Sequence, residues 1–174
     1  ANKTAVFISN GLQDSLFAPN QLTPFYDDLT TAKRLMLQPG DHATSEASGL
    51  LGATNTVWTN VHEWFDHYLT GAANGIDTRQ PVQIEPVGSS AYEGYPDLSS
   101  LSTSSATFDL GGTDATPGQP MTISTQFIIA AYNVPSGDSI ALVVGTKDPL
   151  FLDADQSGST VRFAGPSAVT LPLS

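Results

Sequence analysis

The 174-residue chain contains no cysteine and only 6 Lys and Arg residues. Without cysteine there can be no disulfide, thiol nucleophile or thiolate metal site, and redox chemistry leaves the compartment open because exported proteins can also lack the residue. Those 6 cations face 17 Asp and Glu residues, a formal charge of -11. Nucleic acid and anionic lipid demand clustered Lys and Arg, and none cluster here, so neither nucleic acid nor membrane is expected as a partner. No apolar run approaches the roughly 20 residues of a membrane-spanning helix, and no basic start with an apolar middle marks a signal peptide. A soluble protein is expected. Its acidic balance and scarcity of lysine lean toward a secreted or periplasmic setting.

What is present is enough for an ordered core: 40% of residues are apolar and 9% aromatic, in a length that suits one large domain or two small ones. The chain opens at Ala1 without an initiator Met and enters a strand-like run by Thr4. Further polypeptide is therefore expected upstream; processing, proteolysis or a chosen boundary would each explain such a start.

Two composition regimes meet near Asn74 to Gln80, which divides the chain into residues 1–76 and 77–174. In the first part apolar runs alternate with helix-like segments, the pattern of an α/β layer architecture. Residues 4–9 read as a buried parallel strand, being continuously apolar rather than alternating. Pro19 to Ala32 reads as a helix with Leu22, Phe25, Tyr26 and Leu29 on one side, and Leu35-Met36-Leu37 as a second buried strand stopped by Pro39-Gly40. Thr54 to Leu69 carries Val57, Trp58, Val61, Trp64, Phe65, Tyr68 and Leu69 at three-four spacing, with Gly71 placed as a cap. Past Pro81 short β-rich runs are separated by Gly, Pro, Ser and Asp. Strands are expected at Val82 to Val87, Thr107 to Leu110, Met121 to Asn133, Ser139 to Gly145, Thr160 to Phe163 and Ala168 to Leu171, an array that suits a β-sandwich or jelly roll. Ser99 to Ser105 reads as a surface loop.

The chemistry sits where strands end. Asn10-Gly11-Leu12-Gln13-Asp14 leaves the first strand and Pro39-Gly40-Asp41-His42 leaves the second, 28 positions after Asp14. Loops that follow consecutive parallel strands emerge on the same edge of a sheet, so Asp14 and His42 are expected side by side. A triad needs that pairing. The carboxylate accepts from one ring nitrogen and fixes the tautomer, and the other ring nitrogen takes a proton from a serine. Acid before histidine is also the chain order of α/β-hydrolases, in which the serine comes first. Here the serine would precede Ala1. The bland alternative makes Asp14 a turn or capping residue and His42 an ordinary loop histidine. Asp41 is a rival acid, although sequence neighbours rarely aim their side chains at each other.

Gly11-x-x-Asp14, Pro39-Gly40-Asp41-His42, Trp64-Phe65-Asp66-His67-Tyr68-Leu69-x-Gly71 and Gln80-Pro81-Val82 resemble the end of the catalytic domain in the X-prolyl dipeptidyl peptidase and cocaine esterase family. Gly137-Asp138-Ser139-Ile140-Ala141-Leu142-Val143-Val144, Thr146-x-Asp148-Pro149 and Val169-Thr170-Leu171-Pro172-Leu173 are similar to the closing strands of its jelly-roll domain. The resemblance implies an α/β-hydrolase C-terminal fragment over residues 1–76 and a jelly-roll-like sandwich over 77–174. It implies a serine hydrolase cleaving peptide, amide or ester bonds, with Asp14 and His42 as triad members, no cofactor, and the N-terminal part of the same precursor as the partner that bears the Ser nucleophile. The substrate would be a peptide with proline next to its first residue, or an acyl ester or amide. The Gly-x-Ser-x-Gly elbow and oxyanion donors of that family are absent from this sequence, and the sandwich is shorter than the family's. The alternative class is a non-catalytic β-sandwich binding module carried with an α/β remnant.

Two metal-like patterns fail on spacing. His62 and His67 are five apart, and five positions rotate a side chain by roughly 140° around a helix, against the four-residue spacing of a zincin. Asp153-Ala154-Asp155-Gln156-Ser157-Gly158 begins like a calcium loop, but its twelfth position is Ala164 where a bidentate acid is required. No metal site is expected, and Asp27-Asp28 reads as a solvated face.

Overall fold

A computed structural model describes residues 3–102, 104–109, 113–114, 130–141, 162–163 and 168–173. The chain forms two compact units, Ala1–Ser100 with Ile128–Asp138, and Leu101–Phe127 with Ser139–Ser174.

The first unit is α/β. Strands β1 (Val6–Gly11) and β2 (Lys33–Gln38) pair in parallel with Gly11 opposite Gln38, so both chains leave the same edge of the sheet at the same level. β3 (Val82–Ile84) lies parallel on the other side of β2, and β4 (Glu93–Tyr95) closes the far edge antiparallel to it. The strand expected at Val82 to Val87 thus belongs to the first sheet. Composition changes near residue 77, but the sheet does not end there. The second edge of β2 is satisfied by β3, with Leu35 N donating to Pro81 O and Glu85 N to Leu37 O, both at 2.8 Å, and the first unit extends to Ser100.

Leu35, Met36 and Leu37 are the centre of the core, each 1% exposed or less. Burial of such a side chain stabilises by about 1.5–3 kcal/mol, and a strand flanked on both edges and covered on both faces has no position left for a polar residue at its centre. β1 is different. It is an edge strand whose Val6 to Ser9 are half-buried and whose outer edge meets no strand among the described residues.

The helical segments differ from the sequence expectation for local reasons. In place of one helix over Pro19 to Ala32 there is a single turn at Pro19–Gln21, then α1 (Thr23–Asp28). Pro24 lacks an amide proton and its ring collides with the carbonyl four residues back, so a continuous helix cannot pass through it. Tyr26 is buried but Phe25 is exposed. A helix not anticipated, α2 (Thr44–Leu50), follows His42 directly, entered through Ala43 in the left-handed conformation at φ 55°. α3 (Thr56–Phe65) begins at Asn55, whose side chain accepts from Trp58 N at 3.1 Å, and continues as a wider turn over Asp66–Thr70 until Gly71 ends it at φ 79°. Its buried stripe is Val57, Asn60 and Trp64; Phe65 and Leu69 are exposed. Trp64 packs edge-on against Phe7 of β1 with ring centroids 5.9 Å apart, which fixes α3 on the sheet.

Arg34, one position into β2, is 1% exposed. Its Nη2 donates to the Ile76 carbonyl at 2.7 Å, while Nε and Nη1 have no partner among the described residues. Burial and the nearby Arg79 charge hold its pKa below the ordinary arginine value.

In the second unit β5 (Ser104–Asp109) pairs antiparallel with β8 (Ala168–Leu173), and β6 (Thr113–Asp114) with β7 (Arg162–Phe163). The Ser99 to Ser105 stretch divides between a turn over Leu98–Leu101 and the start of β5. Of the strand expected at Met121 to Asn133, residues 121–129 lie outside the described residues, and Tyr132 makes an isolated parallel bridge with Val87. Ser139 to Ala141 is not strand, and 142–145 lie outside the described residues, as do residues 153–161 and 164 of the calcium-loop-like segment. Among the described residues no helix is long and apolar enough to cross a membrane.

Candidate active site

Two loops leave the C-terminal edge of the parallel pair, one after β1 and one after β2, and they are bonded to each other along their length. Leu12 N donates to Gln38 O at 2.7 Å, Gln13 N to Gly40 O at 3.1 Å, and Gly40 N back to Gln13 Oε1 at 2.7 Å. Gly11 permits this approach, because a Cβ there would lie 2.3 Å from Gly40 O.

Within this frame the Asp14 carboxylate is 2% exposed and fully engaged. Oδ1 accepts from Leu16 N at 2.9 Å and Phe17 N at 2.8 Å, and Oδ2 faces Nδ1 of His42 at 3.1 Å. Burial alone would raise its pKa, but the Phe17 amide, the His42 ring and the Leu16 amide together outweigh that and hold it below the usual carboxylate value. An ionised carboxylate only accepts, so the proton on the shared bond sits on His42 Nδ1. That leaves Nε2 unprotonated in the neutral ring and free to accept. The His42 side chain is 45% exposed, and no hydroxyl among the described residues hydrogen-bonds Nε2. The expected juxtaposition of Asp14 and His42 is therefore present, with Nε2 left as the acceptor of the neutral ring.

Asp41 faces elsewhere. Its Oδ1 accepts from Ser15 N and Ser15 Oγ, both at 2.9 Å, and from His42 N at 2.7 Å. The rival acid thus ties the two loops together and grips the His42 backbone instead of its ring. These donors, the Ser15 amide first, also lower its pKa.

Sequence reasoning missed the polar layer beneath the site. Gln38, 2% exposed at the end of β2, places the two N–H groups of Nε2 among three acceptors, Ser9 Oγ at 2.9 Å, Glu46 Oε1 at 3.0 Å and Ser45 Oγ at 3.1 Å, and Ser9 Oγ donates to Glu46 Oε1 at 2.6 Å. Glu46 thereby fastens α2, and the chain just after His42, to both parallel strands. The only available signal was a glutamine at the end of an apolar strand followed by Ser45-Glu46, which has no distinctive spacing. A cleft of about 190 Å³ opens beside this layer, lined in part by Gln38, Pro39, Asn55, Glu85 and Tyr92.

The other sequence candidates are apart from the pair. His67 Nδ1 lies 2.9 Å from Ala72 O, and His62 stands against Trp58 at 6.4 Å between ring centroids. Asp27 and Asp28 are exposed at the end of α1. Among the described residues no three His, Cys, Asp or Glu side chains are grouped to hold a metal ion.

In comparisons with known proteins, no family model and no curated protein matches this chain.

Proposed function

We propose that this chain supplies the acid and the base of a serine-hydrolase triad, Asp14 and His42, in an enzyme that cleaves peptide, amide or ester bonds. The observation that carries this reading is the 3.1 Å contact between a buried, amide-anchored carboxylate and Nδ1 of a half-exposed histidine, on loops that end adjacent parallel strands. In the proposed reaction His42 Nε2 takes the proton of a serine hydroxyl as the oxygen attacks the substrate carbonyl. Asp14 stabilises the imidazolium, and Nε2 then delivers the proton to the leaving amine or alkoxide. Water, deprotonated by the same nitrogen, releases the acyl group and returns the serine.

The nucleophile is assigned to the N-terminal part of the same precursor, packed noncovalently, since the sequence contains no Gly-x-Ser-x-Gly elbow and no cysteine. The outer edge of β1, which meets no strand among the described residues and carries the half-buried apolar Val6, Phe7 and Ile8, supports a further strand there. Resemblance to the X-prolyl dipeptidyl peptidase and cocaine esterase family favours a substrate with proline beside its first residue, or an acyl ester or amide. It also favours a jelly-roll-like sandwich, confined to the second unit, Leu101–Phe127 with Ser139–Ser174, rather than spanning all of residues 77–174, because β3 and β4 belong to the first sheet; the two antiparallel pairs of that unit are compatible with it. The test is the turnover of the assembly when His42 is replaced: loss supports the triad, and retention removes it.

A further inference from the structure

His42 is held by little. Its ring is 45% exposed, turns on two torsions, and has one polar anchor among the described residues, the bond to Asp14. Water competes for such a bond, so alone it leaves a substantial fraction of rings turned away. An aromatic side chain stands beside the ring. Phe17 stands with its ring centroid 5.2 Å from that of the imidazole at an interplanar angle of 53°.

Burial does not explain where Phe17 sits, because it is 54% exposed. Its backbone does. The Phe17 amide donates to Asp14 Oδ1 at 2.8 Å and its carbonyl accepts from Asn10 Nδ2 at 2.9 Å, with Asn10 itself 9% exposed in β1. The carboxylate that orients Nδ1 therefore also fixes the backbone that carries the aromatic ring beside the imidazole, and Asn10 of the sheet holds that backbone from its other side.

We propose that Phe17 is a positioning residue for His42: its ring walls the imidazole into the orientation in which Nδ1 faces Asp14 and Nε2 faces outward. The catalytic meaning rests on the triad reading, but the orientation does not. A tilted aromatic contact of this kind biases a conformational ratio by roughly 2- to 10-fold. An imidazole that turns away from Asp14 loses its preference for the Nδ1–H tautomer, because water solvates either nitrogen.

The experiment is two-bond ¹H–¹⁵N spectroscopy of the histidine rings in the whole chain, at alkaline pH where imidazoles are neutral. In the parent protein the Nδ1–H form of His42 dominates. Phe17→Ala lowers the Nδ1–H to Nε2–H ratio by roughly 2- to 10-fold, Phe17→Tyr restores it, and Phe25→Ala, an exposed phenylalanine elsewhere, leaves it unchanged. Phe17→Leu, which keeps bulk without the ring face, falls between them and serves if the alanine variant does not fold. Asp14→Asn abolishes the preference and calibrates the readout. A folded Phe17→Ala chain with the parent ratio overturns the proposal while the Asp14–His42 pair stands. If Asp14→Asn also leaves the ratio untouched, the pairing itself fails. Failure of the hydrolase reading registers separately, as turnover indifferent to His42.

Discussion

Replacing Gly11 by alanine puts a methyl carbon 2.3 Å from Gly40 O. A carbon and an oxygen rest at roughly 3.5 Å, so the two loops must part by about 1 Å. A displacement of that size carries the Gln13 N to Gly40 O bond, 3.1 Å in the parent, beyond hydrogen-bonding reach and strains the Leu12–Gln38 and Gly40–Gln13 bonds beside it. Losing two or three such bonds costs about 2–3 kcal/mol in total. Alanine also restricts the unfolded chain, which returns about 0.4–1 kcal/mol, leaving a net loss of about 2 kcal/mol. In urea, at a slope of roughly 1–3 kcal/mol per molar, the midpoint should fall by about 1 M. Because the same separation draws the Asp14 loop from the His42 loop, the ring-nitrogen spectra of His42 should lose their Nδ1–H preference in the folded variant. A Gly11→Ala protein with parental midpoint and parental tautomer would refute the claim that close loop contact assembles the pair.

Acid should destabilise the fold. Asp14, Asp41 and Asp97 all have lowered native pKa values, so their contribution is complete above the unfolded carboxylate range, near pH 4, and drains away as pH falls through the depressed native values. Urea midpoints measured from pH 6 to 2 should drop monotonically; a flat profile would contradict the hydrogen-bonded carboxylates. At the alkaline end, burial raises Tyr26 to about 12, so stability should also decline between pH 10 and 12. Arg34→Ala should destabilise by about 2–4 kcal/mol by opening a cavity beneath β2, whereas Arg34→Met should recover most of that, since two guanidinium nitrogens are buried with no partner among the described residues. Equal losses in the two variants by chemical denaturation would show that the Arg34–Ile76 bond outweighs the burial of charge.

How much was visible beforehand follows from which physical signals are local. Leu35-Met36-Leu37 and the run from Thr4 to Ser9 announce strands because continuous apolarity has few other uses, and the pairing of Asp14 with His42 follows from strand order alone. The break at Pro24 was also visible, and the helix expected across it ignored the missing amide. β3 was assigned to the second part because composition shifts near residue 77, but pairing partners are chosen by edges and burial, which composition does not encode. β4, at Glu93-Gly94-Tyr95, and α2, at Thr44 to Leu50, are short, and neither has a regular apolar period. The Ser9, Gln38 and Glu46 layer joins residues up to 37 positions apart by hydrogen bonds, and no spacing rule anticipates it. Asp41 shows the same limit: its identity marked it as a possible acid, and only the direction of its side chain, toward Ser15, reveals a clamp.

If His42 moves the proton in carbonyl cleavage, its loss registers in kcat/KM on an activated acyl ester for the assembly of this chain with the polypeptide that carries the serine. His42→Ala should lower it by roughly 10⁴- to 10⁶-fold, with Asp14→Asn equal or milder, while His62→Ala and His67→Ala leave it near the parent value. The isolated chain should neither turn over the ester nor react with a fluorophosphonate. Turnover unchanged by His42→Ala would contradict the account.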